Sequence, residues 1–349
     1  MLGTRINTHG TGYFPLIVFR FVSLLSACLR MECRRPYLRS MLSRRLFNWI
    51  FYGHVWIALA ATGLSWLSVR LTFGNQDWAA EWPVLLFVFC ATLAVYTMHR
   101  YLSWRRAGVR PSTRRYEIVA RHPIVSLVIG GVSLAVAGGI GLLFIDAIWS
   151  SLLWTLPITF FYLTPPIKNW RRLRDLPYVK VLWVGIAWSI VTVEIPVQMM
   201  SDLIDASYHR GLNFMVSPGS PQHPFGTENL VRLLFTISIA LLFDFRDVVL
   251  DRSQSVKTMA GEHPVFTRWL VTAILVGCAA IVFYSQEYEG STRWGLIGAY
   301  LAGIGIAWFT GQKRSENWYA VVVNGLLFIP PITYLLAALW GADAGAILG

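Results

Sequence analysis

Nine apolar stretches recur along the chain, near 46–68, 83–102, 123–145, 147–164, 178–197, 229–250, 266–286, 293–310 and 318–341. Each is long enough for a helix to cross a hydrocarbon layer about 30 Å thick. Backbone groups inside such a layer must be satisfied within the protein, so the apolar runs are read as helices. Pro123 and Pro177 stand where two of them would begin, in positions that a first helical turn tolerates. The predicted fold class is therefore all-α, a polytopic membrane protein with nine transmembrane helices. Composition agrees: 55% of the 349 residues are hydrophobic, 14% are charged and the mean hydropathy is +0.52. These values exclude a disordered chain and an ordinary soluble enzyme.

The net charge of +12 would point to nucleic acid in a soluble protein. Here the Lys and Arg residues lie between the apolar spans, so membrane topology accounts for them and no nucleic-acid partner is expected. With the residue 41 end placed inside, the inside loops hold eighteen cations, from Arg100 to Arg314. The outside loops hold only Arg70, Arg210 and Arg293. That bias sets the orientation by the positive-inside rule. The expected location is a cytoplasmic (inner) membrane.

Residues 1–40 are set apart from the fold. Tyr13 to Leu29 is apolar but short, is interrupted by Arg20, and runs into Arg30, Arg34, Arg35 and Arg39. It reads as an interfacial or signal-like segment, as disordered chain, or as an extension before a start at Met41. The expected membrane domain is 41–349. Cys28, Cys33, Cys90 and Cys278 form no metal-spaced pair, and neither a disulfide nor a zinc site is inferred. The outside loop from about 198 to 228 is rich in Pro, Gly and Ser, and its His209 and His223 read as solvated residues.

The chemistry concentrates at the end of the sixth span. Asp244, Asp247 and Asp251 are spaced i, i+3, i+7, which places them within about a 60° arc of one helix face. Carboxylates at a membrane boundary, on a helix C-terminus whose dipole is already negative, call for a cation. Arg246, Arg252 and Lys257 would supply it as a salt-bridge cluster. A divalent metal holding a phosphate is the other reading, since Mg²⁺ uses one or two carboxylates plus phosphate oxygens.

Two stretches taken together resemble the UbiA-type intramembrane prenyltransferase superfamily. One is Phe161-Tyr-Leu-Thr-Pro-Pro-Ile-Lys168, and the other runs from Asp244 through Arg252 to Lys257 and Thr258. In the second, the three aspartates, Arg252, Lys257 and Thr258 match the family's second aspartate motif, while Ser255 replaces a Gly and Met259 a Leu. The resemblance covers about 41–341. It implies a ring of nine helices around a central cavity and transfer of an isoprenyl chain from its diphosphate to a lipophilic, commonly aromatic, acceptor. It further implies Mg²⁺ held by Asp244, Asp247 and Asp251, with Lys168, Arg252 and Lys257 on the diphosphate. No catalytic residue is assigned.

The family's first aspartate motif is degenerate here. At the end of the second span, Tyr96, His99 and Ser103 stand at its three aspartate positions, with Arg100 beside them. Either His99 and Arg100 contact the diphosphate as fixed cations, or they form an interfacial pair. Among other polar residues within spans, Glu194 reads as a packing or interfacial acid, and Asn324 and His54 as interhelical hydrogen-bonders. Asp175 is expected to pair with Arg172 or Arg174. The leading function is prenyl transfer. A catalytically altered protein that binds a polyprenyl phosphate or diphosphate lipid is the alternative. A transporter is disfavoured because the two halves show no repeated Gly- or Pro-interrupted spans.

Overall fold

The computed structural model describes residues 37–74, 78–107, 114–165, 167, 172–176, 178–209, 226–253, 256–288 and 290–348. Residues 1–36, Lys168 and residues 210–225 lie outside these, so the expectations placed on them are not taken further. The described residues form helices and their connections, with no strand among them. Helix α1 (Tyr37–Phe51) leads into α2 (Val55–Phe73), α3 (Trp78–Ala107), a short α4 (Arg114–Arg121), α5 (Pro123–Leu143) and α6 (Ile145–Leu163). Then come α7 (Lys180–Ser189), a π-helical stretch (Ile190–Glu194) and α8 (Ile195–His209), which run on without a break. Helix α9 (Thr227–Ser253), a single turn α10 (Met259–Glu262), α11 (Pro264–Tyr284) and α12 (Gly290–Phe309) follow. A second π stretch (Trp318–Val323) and a 3₁₀ turn (Leu326–Phe328) lead into α13 (Ile329–Leu348).

By length and composition, six of the described helices can cross a membrane: Val55–Phe73, Ala80–Arg105, Pro123–Leu143, Lys180–Ser207, Pro264–Tyr284 and Trp318–Leu339. The protein is an integral, multi-pass membrane protein. Helices α6, α9 and α12 fall where further spans were expected.

The first expected span, 46–68, is displaced. The chain breaks at Tyr52–His54 and the spanning helix begins only at Val55. A Cβ on Gly53 would lie 2.2 Å from the Trp49 carbonyl oxygen, so this close turn requires glycine. His54 follows in the left-handed region at φ 69°. Two amides, of Tyr52 and Gly53, donate to the single Asn48 carbonyl as α1 closes. The apolar run continues through the break, which is why hydropathy does not reveal it.

Helix α9 is the centre of the main core. Its Phe235, Ile239, Leu242 and Phe245 pack with Leu64 of α2, Leu275 of α11 and Tyr319. Helix α5 presents Ile124, Val132, Leu142 and Leu143 outward, as a lipid-facing helix does. Its buried stripe is instead small: Ser126, Gly130, Ser133, Ala137 and Gly141. A Cβ at Gly130 or Gly141 would come within 3.1 Å of Met98 or Phe87 of α3, so these small residues set the approach of the two helices. Cys90 and Cys278 are buried free thiols.

Candidate functional site

The C-terminal half of α9 forms one wall of a cavity of about 230 Å³. The end of α1 with the break after it, helices α2, α3, α6 and α7, and the stretch from Glu316 onward complete it. Part of the lining is apolar, from Ile57, Val184, Ile239, Phe243 and Leu327. The rest gathers three cations, Arg100, Lys180 and Arg246, and three carboxylates, Asp244, Asp247 and Glu316.

The three aspartates behave differently from one another. Lys180, at the first turn of α7, donates 2.8 Å to Asp244 Oδ1 and 2.6 Å to Asp251 Oδ2. One ammonium thus ties together two carboxylates that start about 10 Å apart along α9. Asp244 and Asp251 are buried, which a carboxylate in a membrane protein accepts only with such a partner. Asp247 takes a two-pronged contact from its neighbour Arg246, with both nitrogen–oxygen distances 2.9 Å. The Arg246 guanidinium also lies 4.6 Å from the centre of the Phe243 ring.

Lys180 reaches the aspartates because α7 is pressed close against α9. A Cβ on Gly185 would lie 2.5 Å from Ile237 Cγ1, a distance only glycine allows without movement. The residues just before α7 are also constrained. Tyr178 sits at φ 62° and donates its hydroxyl to Glu262 of α10. That donation holds the Glu262 carboxyl below the usual carboxylate range.

The degenerate first motif divides between cavity and packing. Tyr96 lines the cavity, and its hydroxyl accepts from the Trp188 indole at 3.2 Å. Arg100 lines it too, with its guanidinium 4.9 Å from the Tyr116 ring centre. His99 turns toward α6: its Nε2 lies 3.2 Å from the Thr159 carbonyl, and its ring stacks with Tyr162. His99 and Ser103 are not among the lining residues. The structure therefore brings Tyr96 and Arg100, but not His99 and Ser103, to the same space as Asp244 and Asp247.

Arg252 and Lys257 are exposed and face the α9–α10 connection. Arg252 donates to the Gly261 carbonyl at 2.7 Å, and Lys257 lies 3.7 Å from Glu262. His54 departs from the interhelical hydrogen-bonding expected of it. It is 8% exposed, lines the cavity, and its Nε2 has no hydrogen-bond partner among the described residues. Asn324 also lines the cavity and donates within its own helix, to Ala320. Asp175 pairs with Arg172 at 2.5 Å, as its sequence neighbourhood predicts. Glu194 accepts from Ser151 at 3.2 Å where α6 meets the π-helical stretch, a packing role.

The donor set does not fit a resident divalent metal. No three His, Cys, Asp or Glu side chains converge among the described residues. The carboxylates that the sequence offers for Mg²⁺ are engaged by Lys180 and Arg246. Lys180 is the residue sequence reasoning missed. It opens the fifth span and is readily counted as a topology charge. The signal was an ammonium at the edge of a run whose one other charged residue is Glu194, where a negative helix face needed a partner.

No protein-family model matches the sequence, and no curated protein matches it. Solved structures do match. A UbiA homolog from Archaeoglobus fulgidus aligns with TM-score 0.55 at 11% identity, over 83% of this chain and 98% of its own. The same homolog bound to GPP and Mg²⁺ aligns with TM-score 0.55 at 10% identity, over 83% and 99%. A structure of digeranylgeranylglyceryl phosphate synthase aligns with TM-score 0.51 at 12% identity, over 86% and 99%. The chain thus has a UbiA-like fold.

Proposed function

We propose that this chain binds an isoprenyl diphosphate in the α9 cavity and transfers the isoprenyl chain to a lipophilic acceptor. The observation that carries this reading is the cavity itself. Arg100, Lys180 and Arg246 line it together with apolar side chains, next to the helix end that carries the three aspartates. The likeness to a UbiA homolog bound to GPP and Mg²⁺ supports the same ligand class. Charge-assisted contacts from Arg and Lys are the strong kind for phosphate oxygens. In the reaction the allylic carbon–oxygen bond breaks and the diphosphate leaves with the electron pair. Nearby fixed cations would stabilise that leaving charge. The apolar wall would keep water from the allylic cation until the acceptor attacks and loses a proton. By the charge bias of the loops, the site faces the cytoplasm.

A second reading is favoured by one observation. The cations and carboxylates of the lining are equal in number, and Lys180 and Arg246 are already held by aspartates. A binder of polyprenyl phosphate that performs no transfer fits that balance. The deciding experiment incubates the full chain in lipid nanodiscs with labelled isoprenyl diphosphates and lipid-soluble aromatic acceptors. Formation of a prenylated product supports the enzyme. Saturable binding with no product supports the binder. No binding of any isoprenoid phosphate or diphosphate rejects both.

A further inference from the structure

We infer that the Lys180 ammonium is the resident cation of the aspartate face, standing where a divalent metal would otherwise be held, so that a phosphate head is bound here without metal. Three observations lead to it. A single nitrogen contacts Asp244 and Asp251 at 2.8 and 2.6 Å. It is a side chain, 12% exposed, fixed at the start of a helix that Gly185 holds against α9. The third carboxylate, Asp247, has its own guanidinium. An ion entering this face would have to displace covalently attached cations, each at a local concentration that free metal cannot match.

The chemistry differs from that of a metal centre in a testable way. Mg²⁺ binds oxygens at about 2.0–2.1 Å in a near-octahedral shell and would draw the carboxylates together. An ammonium holds them farther apart and has three donors, of which Asp244 and Asp251 take two and one is left for a head-group oxygen. Lys180 lines the cavity while bound to both aspartates, so it presents positive charge to a head group without leaving them. Lys180 is on this account a positioning and charge-supplying residue.

The metal half of the inference stands apart from the ligand class, whereas metal-free head-group binding rests on the reading proposed above. Two measurements on the full chain in nanodiscs separate them. The first titrates Mn²⁺, followed by its electron paramagnetic resonance signal, into wild type, Lys180→Met and Lys180→Met/Asp244→Asn. Wild type should show no saturable site. Lys180→Met, with two carboxylates released, should gain one at least about tenfold tighter than any wild-type binding. Its unfolding temperature should also rise on adding Mn²⁺, and the double variant should lose both effects. A folded Lys180→Met that takes no Mn²⁺ overturns the inference. So does a wild-type Mn²⁺ site that Asp244→Asn abolishes, a result that stands even if Lys180→Met does not fold. The second measurement titrates geranyl diphosphate into wild type in EDTA and in Mg²⁺. Affinities within about twofold of each other are expected. Binding that disappears in EDTA overturns the metal-free claim. Absence of binding in both conditions rejects the isoprenoid reading, and the Mn²⁺ titration then decides the role of Lys180.

Discussion

Helix α9 carries a charged cluster at each end, and the two have opposite designs. At its start, Glu228 is enclosed: Arg232 and Ser68 contact one carboxylate oxygen, and the Tyr288 hydroxyl donates to the other at 2.9 Å. Closing this knot around one carboxylate leaves Arg232 Nη1 buried without a hydrogen-bond partner among the described residues. None of these residues lines the cavity. About 25 Å along the same helix, the aspartate cluster is also paired, but its cations stand in the wall of a cavity that His54 also lines. Buried charge in a membrane helix is often taken as a mark of function. The comparison shows that pairing alone does not make a site. An open volume with polar atoms turned into it is what separates the two ends.

The largest expected effect is at the closed end. Arg232→Leu leaves Glu228 without its cation and should destabilise the protein by about 3–5 kcal/mol. The double change Glu228→Leu/Arg232→Leu should recover most of that loss, since apolar replacements of a buried pair are often neutral. Chemical unfolding in detergent measures both, and geranyl diphosphate affinity should not move in the double variant. A double variant as unstable as the single one would mean that the cluster is more than a packing device.

At the open end, Arg246→Gln should act on the ligand more than on the fold. Loss of one charge-assisted phosphate contact corresponds to about 1.5–3 kcal/mol, or roughly ten- to a hundredfold in affinity. Unchanged affinity would remove Arg246 from the head-group site. Gly185→Ala sharpens the comparison through packing. Its new methyl would meet Ile237 at 2.5 Å, and forced overpacking costs about 1–3 kcal/mol. Because α7 would be pushed from α9, head-group affinity should fall too, and a loss of stability alone would show that Lys180 adapts. The smallest effect on folding is expected for His54→Asn. Asn tolerates the left-handed backbone, so stability should change by less than about 1 kcal/mol. Ligand affinity or product pattern should nonetheless change, and if neither does, the imidazole has no part in the site.

These contrasts mark what was legible in the sequence. Apolar length locates helices because a bilayer imposes one thickness on all of them. The i, i+3, i+7 spacing puts Asp244, Asp247 and Asp251 together because helix geometry is local. What failed to show was non-local. His99 and Arg100 are adjacent, yet a rotation of about 100° sends one to the Thr159 carbonyl and the other to the cavity. Lys180 is far from Asp251 in sequence, and only the approach permitted by Gly185 joins them. The break at Gly53 lies within an unbroken apolar run, where hydropathy carries no signal.

The π-helical stretch Ile190–Glu194 gives the long helix from Lys180 to His209 one more residue than a regular helix of its phase would contain. Before it, Gly185 meets α9; after it, Ile195 and Met199 are buried against α3 residues such as Val84 and Val88. The insertion works as an indexing key between the two halves. Removing a single residue there, Thr192 for instance, would restore regular winding with the two halves still in phase, whereas removing two would rotate one half against the other by about 100°. With two removed, either Met199 would leave its packing or Lys180 would swing off Asp244 and Asp251. In this helix, chain length acts as a separate variable from composition: one residue is spare, and the loss of a second, touching no charged residue and at a distance from the aspartates, would be enough to dismantle their cation.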